Sequence, residues 1–136
     1  MIQFYLLSVL LNVTAGYAVY VSDKEPRQGI TEGIRAFLRD KSIRLILGIL
    51  TFMVGFFKLL TVMRLDVPIV GDLLPAAAGM AAGFTLLLEF YRTNATVASD
   101  SIERLEKIFI GYKHVIGIAS IAVGVAHFLF ANVLFL

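Results

Sequence analysis

Apolar side chains fall into four long runs, approximately Gln3 to Val21, Leu45 to Met63, Val67 to Leu88 and Val115 to Leu136, and charged residues return between them. A bilayer core of about 30 Å needs roughly 20 consecutive apolar residues in a helix, and each run is close to that length. None alternates in polarity as a barrel strand would, and an unpaired backbone group in hydrocarbon costs on the order of several kcal/mol. The pattern therefore predicts four transmembrane helices. The first run reads as a retained span: Gly16-Tyr17-Ala18 is a small-x-small step, but no basic region precedes the apolar stretch as it does in a secretory signal.

The two long connections have a different period. Ile30, Ile34, Phe37 and Leu38 recur at helical spacing among Gln28, Glu32, Arg35 and Arg39, which predicts an amphipathic helix lying in the headgroup plane. In the second connection Asp100 and Glu103 read as a capping box ahead of Ile102, Leu105, Ile108 and Phe109. That helix can run on into the fourth span.

The halves of the chain resemble each other. Gly48-Ile-Leu-Thr-Phe-Met-Val-Gly55-Phe-Phe-Lys58-Leu59-Leu60 aligns with Gly117-Ile-Ala-Ser-Ile-Ala-Val-Gly124-Val-Ala-His127-Phe128-Leu129, and Ala15-Gly16-Tyr17 aligns with Ala82-Gly83-Phe84. Half-repeats of about 1–66 and 67–136 each then comprise a span, an amphipathic helix and a second span. Each half crosses twice, so both insert the same way and are related by an axis along the membrane normal. The predicted fold is an all-α integral membrane protein, a single domain built as a 2+2 parallel pseudo-repeat, with amphipathic interfacial helices in two cytoplasmic loops.

Charge orients this bundle. Of the 12 Lys and Arg residues, Lys24, Arg27, Arg35, Arg39, Lys41 and Arg44 lie between the first two runs, and Arg92, Arg104, Lys107 and Lys113 between the last two. Arg64 alone lies in the middle connection. Basic residues in short loops stay cytoplasmic, so both termini and the middle connection are expected outside the cell (inner) membrane and the two long loops inside. The Asn94-Ala-Thr96 sequon then faces the cytoplasm, away from glycosylation.

Composition agrees: 59% hydrophobic and 16% charged residues are too apolar for a disordered or nucleic-acid-binding chain, and the net charge of +2 is small. The absence of cysteine excludes disulfides, thiol nucleophiles and Cys-ligated metals. Small residues that allow close helix approach mark the contact faces: Ala76, Gly79 and Gly83 with Ala78 and Ala82 beside them, and the pairs Gly48/Gly55 and Gly117/Gly124, each seven apart. They serve packing within one chain or a homo-oligomer; a partner membrane subunit is the other expected protein contact besides the lipid bilayer.

Ionisable and polar groups at membrane depth are the candidates for function. Lys58 either snorkels to the outer interface or lines a polar site. His127 is more than about 10 Å in from Leu136 and is either a neutral hydrogen-bonded side chain or a proton carrier or ligand. Asp72, within Pro68-Ile-Val-Gly71-Asp72-Leu-Leu-Pro75, is either the N-cap of the third helix or, with a non-helical Val67 to Gly71 dipping into the outer leaflet, a partner of Lys58 and His127. Asn12 and Thr14 either line such a cavity or bond between helices. At the other end Glu89, Arg92, Arg44, Lys113 and His114 form a solvated interfacial network. His114 and His127 are separated like the haem-binding histidines of membrane cytochromes, but no second histidine-bearing helix faces them, and no cofactor or metal is expected. There is no Gly-rich phosphate loop, HExxH, carboxylate dyad or Ser/His/Asp set.

The second span reads Arg44-x-x-Leu47-Gly48-x-x-x-Phe52-x-x-Gly55-x-x-Lys58-Leu59 and resembles the first helix of the DoxX-like family of small four-helix bacterial membrane proteins. The resemblance covers one helix of four and implies an accessory role in membrane redox or sulfur metabolism. The residues themselves point first to a transport-class protein binding or passing a small solute or ion at an outward-facing site of Lys58, Asp72, His127 and Asn12. The alternatives are a non-transporting structural or accessory subunit of a larger membrane complex and the redox accessory.

Overall fold

The computed structural model describes residues 2–21, 32–64, 70–94 and 99–130. These form six helices: α1 (Ile2–Val21), α2 (Glu32–Arg39), α3 (Lys41–Arg64), α4 (Val70–Asn94), α5 (Asp100–Phe109) and α6 (Lys113–Leu129), with no strand among the described residues. The four apolar runs correspond to α1, α3, α4 and α6, and the two amphipathic stretches to α2 and α5.

Length divides the apolar helices. Lys41–Leu60 of α3 and Leu73–Asn94 of α4 are each long and apolar enough to cross a membrane. The pair α5 and α6 passes the same test only as one span, bent by 56°, so α5 does not run straight on into α6. The apolar part of α1, Tyr5–Val21, is shorter. Residues 131–136 of the expected fourth run lie outside the described residues, as do Ile30, Val67, Pro68 and the sequon positions 95 and 96.

Helix starts show where local chemistry decides. Ser99, extended at φ −125° and ψ 149°, is the N-cap of α5, its hydroxyl accepting from the Ile102 amide at 3.3 Å. The cap therefore sits one residue before Asp100, and Asp100 and Glu103 do not form the expected box. Asp40 caps α3, its carboxylate accepting from the amides of Ser42 at 2.9 Å and Ile43 at 3.3 Å. Helix α4 already begins at Val70, which places Asp72 inside its first turn instead of at the cap.

Packing pairs α3 with α4 and α1 with α6, and the two pairs meet chiefly through α1 against α4 and α4 against α6. Glycine permits both close pairs. A Cβ at Gly83 would lie 2.7 Å from the Phe52 amide nitrogen and 2.8 Å from the Gly48 carbonyl oxygen. Between α1 and α6, a Cβ on either Gly16 or Gly117 would meet the other's carbonyl oxygen at 2.7 Å. The glycines of both sequence pairs thus serve contacts within the chain.

The core between the pairs is Ala15, Ala18, Val19, Ala82 and Leu86, joined by Leu38 of α2. Helix α2 is also tied to α1 by a hydrogen bond from Arg35 Nε to the Tyr17 hydroxyl at 3.2 Å, which raises the Arg35 pKa further. Polar side chains are buried beside this apolar core, and large apolar ones are exposed. Buried positions include Ser8, Asn12, Thr51, Lys58, Thr85, Lys113, Ser120 and His127, whereas Leu10, Ile46, Leu50, Phe57, Val115, Ile118 and Phe128 are among many large apolar side chains left exposed.

Candidate functional site

Two of the four predicted site residues meet. Lys58 Nζ on α3 lies 3.1 Å from His127 Nε2 on α6, with both side chains buried. An ammonium can only donate, so the imidazole accepts at Nε2 when it is neutral with its proton on Nδ1. The pair thus joins two buried groups that can each carry a proton. Lys58 does not simply snorkel.

Tyr5 completes this cluster. Its ring lies against the imidazole with centroids 4.7 Å apart, and its hydroxyl donates to the carbonyl of His127 and to that of Phe128 at 3.3 Å. These are carbonyls of the last turn of α6, so Tyr5 on α1 ties down the end of that helix, and the negative end of the α6 dipole lies beside the Lys58–His127 pair. Tyr5 drew no attention in the sequence because a tyrosine near a helix end is an ordinary interfacial residue; only the pairing of α1 with α6 gives it this role.

Asn12 lies elsewhere in the core. Its side-chain amide donates to the Pro75 carbonyl at 3.0 Å, and its backbone carbonyl accepts from the Ser120 hydroxyl at 2.9 Å. It joins α1, α4 and α6 at mid-bundle, and a Cβ at Gly79 would lie 2.5 Å from its Oδ1. Asn12 thus bonds between helices. Thr14 is exposed and bonds back to the Leu10 carbonyl at 2.7 Å. The Asp72 side chain lies outside the described residues.

A second polar cluster occupies the opposite end, at positions 44 and 113, which are 14 residues or about 21 Å of helix from positions 58 and 127. Glu89 on α4 places Oε2 against the Arg44 guanidinium and Oε1 3.5 Å from Lys113 Nζ. The three side chains are only 11% (Arg44), 15% (Glu89) and 9% (Lys113) exposed, so this is a largely desolvated triad and not a solvated surface network. His114 packs edge-on against Tyr20 at 5.8 Å. Among the described residues no group of three His, Asp or Glu side chains suited to a metal ion occurs.

Fold and site together define an all-helical bundle with the buried Lys58–His127 contact towards one end and the Arg44–Glu89–Lys113 triad towards the other. The chain belongs to a family of uncharacterised function whose model matches residues 1–127. An uncharacterized protein of Treponema pallidum (strain Nichols) is 30% identical over 136 residues, the full length of both chains. No solved structure matches.

Proposed function

We propose that the chain is a four-span integral membrane protein that binds or passes a small solute or ion at the Lys58–His127 pair. The observation that carries this reading is the buried 3.1 Å contact between those side chains, in a bundle whose outer surface is lined by Leu, Ile, Val and Phe. Soluble monomers rarely leave such large contiguous apolar surface in water, whereas in lipid it is the ordinary exterior. An ionisable pair kept inside such a bundle is expensive and is a functional site by default. The exposed Ile34 and Phe37 of α2 and Ile108 of α5 suit helices resting on the headgroup boundary.

The internal repeat supports the same architecture. With α3 equated to α6 and α1 to α4, the α3–α4 contact is the counterpart of the α6–α1 contact, and both are lined by the aligned glycines. The register that aligns Gly16 with Gly83 also aligns Asn12 with Gly79, its contact, and Tyr5 with Asp72. Asp72 thereby takes the α4 position equivalent to the α1 residue that adjoins His127, which favours it as the third member of the site beside Lys58.

The species suited to this chemistry are the proton and small anions, because one group donates and the other exchanges a proton. The test is proton and chloride flux into proteoliposomes under an imposed potential. Wild type should give flux above empty vesicles, and Lys58→Met and His127→Phe should each lower it by roughly tenfold or more, the scale of one lost charged hydrogen bond, with helicity and oligomeric state retained. Equal flux in both folded variants would remove the site.

A further inference from the structure

The end of the bundle opposite Lys58 holds an open pocket of about 430 Å³. Among the described residues its lining includes Arg39, Lys41, Arg44, Arg92 and Lys113, with the carboxylate of Glu89. These five cations come from four different segments: the end of α2, the first turn of α3, the last turn of α4 and the start of α6. Arg39, Lys41 and Arg44 are neighbours in sequence, and the fold brings the distant Arg92 and Lys113 to them. Two of them, Arg44 and Lys113, are held in place by the two oxygens of one glutamate, and Arg39 is braced by Glu32 at 3.5 Å.

We infer that this pocket is a binding site for a phosphate-bearing anion. The inference does not depend on the Lys58–His127 reading. A phosphate offers several acceptor oxygens and more than one negative charge, which matches a concave site with cationic donors on several sides. Guanidinium groups recognise it through paired N–H donors and the lysines act as point charges. Helix α6 begins at the pocket with Lys113, whose amide is already taken by the Ile110 carbonyl at 3.3 Å, and α4 ends there, so the opposed helix dipoles offset each other and the cationic side chains carry the recognition. Helix α3 also begins there, but Asp40 already occupies its first amides, and binding at that edge falls to the Lys41 and Arg44 side chains. Sequence alone places Arg44, Glu89, Arg92 and Lys113 at one level but not around one cavity with Arg39 and Lys41.

Two sources supply this chemistry: free phosphate or a soluble phosphorylated compound, and the headgroup of an anionic phospholipid, which basic pockets between membrane helices recognise. The test uses the full chain in non-ionic detergent. Thermal unfolding and native mass spectrometry are followed with added inorganic phosphate, with phosphatidylglycerol and with phosphatidylcholine, each against sodium chloride at matched ionic strength. Saturable stabilisation with one bound anion per chain is expected. If phosphate alone produces it the ligand is a soluble phosphate, and if only phosphatidylglycerol does the ligand is a headgroup; both outcomes uphold the site. Lys41→Gln with Arg92→Gln, which leaves the Arg44–Glu89–Lys113 triad intact, should weaken binding by roughly tenfold or more without altering unfolding in the absence of ligand. Stabilisation no greater than that by chloride or phosphatidylcholine overturns the proposal, as does undiminished binding by the double variant.

Discussion

Gly83→Ala is expected to destabilise the bundle by about 1–3 kcal/mol, the usual cost of forcing a methyl group into a filled core. The sign is the informative part, because alanine in place of glycine inside a helix ordinarily gains roughly 1 kcal/mol. Here the new Cβ would meet the Phe52 amide nitrogen at 2.7 Å and the Gly48 carbonyl oxygen at 2.8 Å. Both are backbone atoms, so no rotamer change relieves the clash and α3 and α4 must separate. Gly33 in α2 provides the control, since a Cβ there meets nothing within 4 Å, and Gly33→Ala should be neutral or slightly stabilising. Unfolding by SDS titration in mixed micelles, followed by circular dichroism, measures both. An equal gain in the two variants would contradict the α3–α4 packing.

Glu89→Gln should be comparably damaging. One carboxylate holds both Arg44 and Lys113, and its loss removes the countercharge that this largely desolvated site gives them. Removing one partner of a fully buried ion pair costs about 3–5 kcal/mol; the open pocket beside Glu89 admits water and lowers the expected loss to about 2–3 kcal/mol. The same unfolding assay reads it. Adding Arg44→Gln to Glu89→Gln should restore part of the stability, because one of the stranded charges is gone. Additive losses would show that the triad is not coupled.

Much of this fold is legible in the sequence, for a physical reason. Runs such as 45–63 and helical periodicity such as Ile102, Leu105 and Phe109 are one-dimensional signals, and α3 and α5 follow them. The alignment of Lys58 with His127 likewise brought both residues to notice, and the structure joins them. Rotation about each helix axis is much less legible. The residues of α1 are almost evenly apolar around its circumference, so nothing along the chain says that α1 pairs mainly with α6, and neither the contact of Tyr5 with α6 nor the bond of Asn12 to the Pro75 carbonyl is legible. Glu89, Arg44 and Lys113 were visible as charges at one level, but their convergence depends on three rotations and on the bend before α6. At helix starts the competition is local: Ser99 and Asp100 are both good caps, and the extended backbone at Ser99 decides between them.

Cysteine accessibility tests the central claim, a four-span bundle with its cationic pocket on the cytoplasmic side, most directly. The chain contains no cysteine, so single substitutions report without background. Asp100→Cys, at the start of α5, and Asp66→Cys, in the connection between α3 and α4, are each exposed to a membrane-impermeant maleimide in intact cells and after permeabilisation. Position 66 should be labelled in intact cells and position 100 only after permeabilisation, with the protein in the membrane fraction. Recovery in the soluble fraction, or the reverse labelling pattern, would contradict that claim.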